Sequence, residues 1–462
     1  MKRRRSPMLC LTLMLFATAT IHARAAATDA CVDDLSVLHL PRLAARISTT
    51  PAPRFEAVTR LASAGERNAY TERYYGDGTS PGPVFVFAYE VDGLRQYARL
   101  DLPADSDSET PVLVYAHGYV GYPASLDFRL AYDLESMSGE FIARWVEAGF
   151  AVLSPGYRGH GTFADRPAAG ASYLALWDSG GTYLSPTFYA LDILGAIEAL
   201  PSIGDLDLGA PPPATGAVAL LGHSQGGDAA LTALAIDSFG DRSGPRIAAA
   251  SLWAGCIGDR LEQLELYRSM STPRGFLAGD GVWRRSPLGA DGSTNPEFRW
   301  PWPQDWTAMA EDPQHGYQPV AADPGGESAA ALVHGARAQL VDTVRSCIPE
   351  ADLSQAIIAI RAASGHAHAH RIRQPLHLHT SDRDYYSPPA WNRELAERIS
   401  IAGAHAEVFI YAGNTHALRV SDKEWFSPPG TEAGLAQAIA RDALLFRAAL
   451  LPPTSTNPAT QP

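Results

Sequence analysis

The chain has 462 residues, of which 46% are hydrophobic and 19% are charged. This balance excludes a disordered or collagen-like protein and provides enough apolar material for a large core. Asp and Glu outnumber Lys and Arg by 50 to 37, and the net charge of −13 argues against nucleic acid as a partner.

The N-terminus has the three parts of a secretory signal peptide. Lys2 and three arginines precede an apolar run from Met8 to about Ala17, and the small residues Ala23-Arg24-Ala25 follow. The apolar run is too short to span a bilayer. We therefore expect residues 1–25 to be a signal peptide, and the mature protein to be secreted or periplasmic without a stable membrane anchor.

The first strong structural pattern begins at Val84, after a segment of few clear signals at 26–83. Apolar residues alternate over 84–91, Asp92-Gly93 follows, and alternation resumes over 94–102. Two alternating runs separated by Asp-Gly predict a β-hairpin.

Apolar strands then alternate with helices. Strands are predicted at 112–116, 150–155, 217–221, 247–254, 375–380 and 406–411, and helices at 141–146, 187–200, 229–236 and 431–449. Strands without a polar face, separated by helices, indicate an α/β protein with a mostly parallel sheet covered by helices on both faces.

This alternation stops from 257 to 370, where Pro, Gly and Trp become frequent. We predict that this segment is a lid or cap inserted into the domain, because insertions of this size commonly cover a site. Trp300, Trp302 and Trp306 would either line an acyl-binding pocket or hold the lid together. The Pro- and Thr-rich tail at 451–462 is predicted to be disordered.

The motif Gly222-His223-Ser224-Gln225-Gly226 has the form G-x-S-x-G and joins a predicted strand to a predicted helix. In that context it predicts a sharp turn that projects Ser224 as a nucleophile. A serine nucleophile needs a histidine base and an acid that orients the histidine. His416, after the last strand, is the predicted base. Asp382 and Asp384, after the strand at 375–380, are the two candidates for the acid.

These motifs, in this order, resemble those of the α/β-hydrolase superfamily over residues 84–256 and 371–450. The segment from Pro375 to Pro388 resembles the acid loop of the family, and in that register the acid is Asp384. Ser381 and Ser387 stand where the family pattern has glycine and valine. His117-Gly118-Tyr119 resembles the oxyanion loop, so the resemblance implies that Tyr119 provides one backbone N–H donor and Gln225, after the nucleophile, the other.

Within the superfamily, the motifs look most similar to the catalytic domains of prolyl-oligopeptidase-like and dienelactone-hydrolase-like proteins. The long insertion is more like that of lid-bearing secreted lipases and esterases. The resemblance implies a serine hydrolase that cleaves a small ester, lipid or peptide substrate without a cofactor or metal. Carboxylic ester hydrolysis is the first hypothesis and a prolyl-oligopeptidase-like peptidase the alternative, since both use the same triad. A catalytically inactive binding protein on this fold is the third.

Cysteines and histidines leave two further alternatives open. Removal of the signal peptide leaves three cysteines, and we predict either a Cys256–Cys347 bridge between core and lid or a bridge from Cys31 to one of them. Histidines at alternate positions could hold zinc if they shared a strand face, although a polar strand face or loop is the simpler interpretation. These histidines are His366, His368, His370, His377 and His379.

Overall fold

The computed structural model describes residues 38–49, 51–60, 82–119, 137–163, 166–173, 184–240, 242–260, 262–263, 342, 344–350, 353–381, 384, 387–411, 416, 418 and 433–451. Several predicted features lie outside the described residues, namely the signal peptide, Cys31, Asp382, the insertion residues Trp300, Trp302 and Trp306, and the tail after residue 451.

A nine-stranded sheet forms the centre of the described structure. The strands along the chain are β1 (Glu56–Arg60), β2 (Val84–Val91), β3 (Leu94–Asp101), β4 (Val112–Ala116), β5 (Ala151–Pro155), β6 (Thr162–Phe163), β7 (Arg166–Pro167), β8 (Ala217–His223), β9 (Arg246–Trp253), β10 (Leu376–Ser381) and β11 (Ala406–Tyr411). β6 and β7 pair separately as a small ribbon.

The order of strands across the sheet is β1-β2-β3-β5-β4-β8-β9-β10-β11. The six strands from β5 to β11 run parallel, whereas β1, β2 and β3 form an antiparallel edge. The carboxyl ends of the parallel strands therefore lie at one edge of the sheet, where ligands bind in open α/β proteins.

Helices cover both faces of the sheet. They are α1 (Leu40–Thr49), α2 (Met137–Glu147), α3 (Ala171–Tyr173), α4 (Ser185–Ala199), α5 (Gln225–Asp237), α6 (Leu353–Ala362), α7 (Pro389–Ile401) and α8 (Ala433–Leu450). Apolar side chains of α1, α4, α5 and α7 pack on one face, and those of α2 and α8 on the other. None of the helices in the described part of the chain has both the length and the apolar character needed to cross a membrane.

The predicted hairpin is confirmed as β2 and β3. Asp92 and Gly93 both have positive φ, at 57° and 72°, and Val91 pairs with Leu94. Positive φ at both central residues matches the right-handed twist of the two strands, which is why Asp-Gly is favoured there.

The predicted fold class, an α/β fold with a mostly parallel sheet and helices on both faces, is confirmed. The described end of the predicted insertion packs on core helices: Thr187 Oγ1 of α4 donates to Ala363 O at 2.6 Å, and Gly365 N donates to Thr232 Oγ1 of α5 at 3.0 Å. Most of that insertion lies outside the described residues, so the lid stays a prediction.

Candidate active site

Ser224 lies at the sharp turn between β8 and α5 and has φ 56° and ψ −124°. A residue with a side chain rarely adopts this conformation, so surrounding contacts must hold it. The Ser224 N–H donates to Trp253 O at 3.0 Å, and Ser224 O accepts from the N–H groups of Gly227 at 2.9 Å and Cys256 at 3.0 Å. The turn is thus fixed by backbone bonds from its own helix and from the end of β9.

Two glycines bring the loop after β4 against this turn. A Cβ on Gly226 would lie 2.1 Å from Ala116 O, and a Cβ on Gly118 would lie 3.1 Å from Ser224 Cβ. Neither close approach leaves room for a larger residue without movement of the backbone. The segment His117-Gly118-Tyr119 therefore lies directly beside Ser224.

His416 and Asp384 form a buried pair behind the same edge of the sheet. His416 Nδ1 lies 2.9 Å from Asp384 Oδ2 and 3.1 Å from Oδ1. Asp384 is fully buried and His416 is 5% exposed. A carboxylate on Nδ1 fixes the ring orientation and leaves Nε2 as the nitrogen available for proton transfer. The structure thus pairs His416 with Asp384.

The loop that carries Asp384 is tied to the loop after β9. Ser387 N donates to Asp384 Oδ1 at 3.1 Å, and Ser387 Oγ donates to Gly255 O at 2.5 Å. Thr380 Oγ1 donates to Ser387 O at 2.8 Å. The side chain of Ser387, which departs from the family pattern, therefore supplies a hydrogen bond to Gly255 O that a valine could not make.

His223, which precedes the serine, contacts the backbone of His416. The His223 Nε2 lies 2.9 Å from His416 O, and the two rings are 5.0 Å apart. Burial, together with the charge of His416, lowers the pKa of His223 to about 3, so the ring is neutral near pH 7 and donates from Nε2. Sequence reasoning treated His223 only as a variable position of the motif and missed this contact.

Aromatic side chains pack against His117, which lies two residues before Tyr119. Tyr157 stacks on His117 with ring centroids 4.0 Å apart, and Tyr157 Oη donates to His117 O at 2.9 Å. Tyr189 of α4 stacks on the other side of Tyr157 at 4.4 Å. Burial lowers the pKa of His117 to about 4. Tyr119, by contrast, is 57% exposed, and Gln225 is the first residue of α5.

A buried ion pair anchors Tyr157 to α4. Arg158 Nη2 lies 2.8 Å from Asp192 Oδ1, and the Arg158 N–H donates to Asp192 Oδ2 at 2.8 Å. Both side chains are at most 1% exposed. Although burial opposes the charged guanidinium, Asp192 holds the pKa of Arg158 above its ordinary value. The loop after β5 therefore packs beneath the segment that precedes Tyr119.

The predicted Cys256–Cys347 bridge is wrong. Cys256 is buried and forms no disulfide, and its Sγ lies 3.9 Å from Ser224 Oγ. The backbone hydrogen bond from Cys256 N to Ser224 O holds this residue in the core beside the serine. Cys347 is disulfide-bonded, and its partner lies outside the described residues.

The two groups of histidines differ in structure. His366–Arg371 form a 3-10 helix, in which His368 Nε2 contacts Ala362 O at 2.9 Å, so these alternate histidines share no strand face. His377 and His379 do share one face of β10, and both contact Asp442 of α8. Sequence spacing did not identify Asp442.

Comparison with known proteins finds similar solved structures at low sequence identity. No family profile matches the chain, and none of the curated proteins matches it. Acetyl xylan esterase 1 from Thermoanaerobacterium sp. JW/SL YS485 is 13% identical with a TM-score of 0.45, over 92% of this chain and 98% of the esterase. The rice cell wall degrading esterase LipA from Xanthomonas oryzae is 16% identical with a TM-score of 0.47, over 85% and 97%.

A Mycobacterium tuberculosis puromycin-hydrolyzing peptidase is 15% identical with a TM-score of 0.43 over 79% of this chain, which spans 40% of the length of that peptidase. Because all three scores are low, the structural assignment rests on the strand order and on the serine turn. On those two observations, the chain has an α/β-hydrolase fold, with Ser224 at the sharp turn between β8 and α5.

Proposed function

We propose that the protein is a secreted serine hydrolase that cleaves carboxylic esters, with Ser224 as the nucleophile and His416 as the general base and acid. Asp384 is the residue that orients His416. The observation that carries the proposal is the strained conformation of Ser224 at the strand-to-helix turn, accompanied by a buried imidazole–carboxylate pair. Strain of this kind concentrates at functional sites.

In the proposed reaction, Ser224 Oγ attacks the ester carbonyl carbon while His416 Nε2 accepts the serine proton. The oxyanion of the tetrahedral intermediate is bound by the backbone N–H groups of Gln225 and Tyr119. Collapse breaks the ester bond, and the departing alkoxide takes the proton from His416. Water then attacks the acyl-enzyme with His416 as base, which releases the acid and restores Ser224.

The positive end of α5 supports the same assignment. Gln225 begins this helix of 13 residues immediately after the serine, so the aligned peptide dipoles point their positive end at the place where the oxyanion forms. The buried hydrogen bond from Tyr157 to His117 O fixes the backbone that leads to Tyr119, the other proposed oxyanion donor. Preorganised donors of this kind commonly provide the largest part of catalysis.

A panel of p-nitrophenyl esters and of Gly-Pro and Ala-Pro chromogenic amides tests the proposal. We expect ester turnover that falls by about 10⁴-fold or more in kcat in Ser224→Ala and in His416→Ala, with far-UV circular dichroism unchanged. A fluorophosphonate probe should label Ser224 alone. Faster turnover of the amides would favour the peptidase, and undiminished ester turnover in the variants would reject the triad.

Export is part of the proposal and is tested separately. N-terminal sequencing of protein recovered outside the cytoplasm should begin after about residue 25, where the A-x-A pattern ends. An exported protein that retains residues 1–25 would argue for an uncleaved anchor.

A further inference from the structure

A second buried cluster of titratable side chains lies between β10 and α8. His377 Nδ1 lies 2.7 Å and His379 Nε2 lies 2.9 Å from one oxygen atom, Asp442 Oδ1. One ligand-type atom from each of the three residues lies within 4.8 Å of the other two. The three side chains are at most 9% exposed. Two imidazoles and a carboxylate thus converge on one point in the core.

The sheet register adds a fourth polar side chain to this cluster. Ser251 of β9 is the direct neighbour of His377 across the strand pair. It is fully buried, and its hydroxyl interacts with the Asp442 carboxylate. The Ser251 hydroxyl therefore belongs to the same buried polar cluster.

Each of the three converging side chains also contacts another residue through the atom that points away from the centre of the cluster. His379 Nδ1 lies 2.8 Å from Tyr411 Oη, and Asp442 Oδ2 accepts from Trp253 Nε1 at 2.7 Å. His377 Nε2 lies 3.9 Å from a carboxylate oxygen of Glu407. Oxygen partners on the outer nitrogens, with a fixed carboxylate, are the arrangement that orients metal ligands in proteins.

We propose that His377, His379 and Asp442 bind a divalent transition-metal ion of the zinc class, with the Ser251 hydroxyl or a water molecule in the fourth position. Imidazole and carboxylate donors suit Zn²⁺, which prefers four ligands in tetrahedral geometry. When the ion is bound, each histidine carries its proton on the outer nitrogen, so that His379 Nδ1 donates to Tyr411 Oη. The inference is independent of the proposed ester hydrolysis.

The observed spacing is close to the spacing that a metal needs. Ligand atoms about 2.0–2.1 Å from a tetrahedral ion lie about 3.3 Å from one another. The nitrogen-to-oxygen distances of 2.7 and 2.9 Å therefore need to open by only about half an ångström.

The test is metal content and affinity of the full chain produced without a histidine tag. Protein stripped with a chelator is titrated with ZnCl₂ by calorimetry, and its zinc content is measured after dialysis. We expect one Zn²⁺ per chain, a Co²⁺ form with the visible absorption of a four-coordinate ion, and a rise in Tm of about 3 °C when free Zn²⁺ exceeds Kd one-hundredfold.

Variants assign the binding to this cluster. His377→Gln, which lies at the edge of the cluster, should weaken Zn²⁺ binding by about 100-fold or more. The matched control His370→Ala, in the exposed part of the 3-10 helix, should bind as the wild type does. Absence of Zn²⁺ and Co²⁺ binding by the wild type would overturn the proposal, because the cluster would then be a hydrogen-bonded clamp only. Equal binding in His377→Gln would overturn it too, because the ion would sit elsewhere.

Discussion

Replacement of the buried His160 by phenylalanine should make the protein less sensitive to acid. The imidazole is fully buried, with Tyr157 and Tyr189 edge-on to it at centroid distances of 5.6 and 5.1 Å, so phenylalanine preserves the shape of the cluster. Burial, followed by the charge of His117, lowers the pKa of His160 from 6.5 to about 3.

The sign follows from proton binding in the two states. Between pH 6.5 and about 3 the unfolded chain protonates this histidine and the folded chain does not, so the free energy of unfolding falls as the pH falls. From pH 7 to pH 5 the loss attributable to this single ring is about 2 kcal/mol. That is a large part of the 5–15 kcal/mol that stabilises a typical protein.

Urea unfolding of the wild type and His160→Phe at pH 7, 6 and 5, followed by tryptophan fluorescence, measures the difference. Other titrating groups contribute equally to both proteins and cancel. We expect the variant to lose about 2 kcal/mol less than the wild type between pH 7 and pH 5. The exposed His405, substituted by glutamine, serves as the control and should leave the pH dependence unchanged. Parallel losses in the wild type and His160→Phe would refute the reasoning.

Two further predictions concern the acid and the cysteines. Asp384→Asn should lower kcat by about 10⁴-fold, because His416 then adopts the wrong tautomer, whereas Asp382→Asn should lower kcat far less. Steady-state kinetics with a p-nitrophenyl ester compares the two variants. A larger loss in Asp382→Asn would reject the pairing of His416 with Asp384. Peptide mapping under non-reducing conditions should recover Cys347 linked to Cys31. Cys256 should be alkylated only after the protein is unfolded, and a disulfide that contains Cys256 would contradict the structure.

Local patterns predicted the parts of the fold that depend on local chemistry. Asp92-Gly93 identified the hairpin because both residues tolerate positive φ. The apolar strands were found because both faces of a parallel sheet are buried. β1 was not predicted, since its sequence Glu-Ala-Val-Thr-Arg lies at the sheet edge and lacks an apolar run. The Cys256–Cys347 bridge was predicted wrongly because spacing along the chain does not reveal which way a side chain faces.

The sequence also did not reveal contacts between residues that lie far apart along the chain. Nothing in the local sequence of α8 distinguishes Asp442 from the polar residues that a helix exposes to solvent, and it lies 63 residues after His379. Its role follows only from the packing of α8 across β10, which buries the carboxylate completely. Local sequence likewise did not decide whether Asp382 or Asp384 is the acid that pairs with His416. Only the resemblance to the acid loop of a known family favoured Asp384.

Trp253 connects the histidine–aspartate cluster to the candidate active site. Its indole N–H donates to Asp442 Oδ2 at 2.7 Å, and its carbonyl accepts the N–H of Ser224 at 3.0 Å. The carbonyl of His379 likewise accepts the N–H of Ala254 at 2.6 Å, just after β9. We therefore expect a substitution in the cluster to disturb the residue that holds the strained serine turn, and to lower the proposed ester turnover whether or not an ion is bound. Loss of activity in such a variant does not distinguish a metal site from a hydrogen-bonded clamp, whereas metal content does.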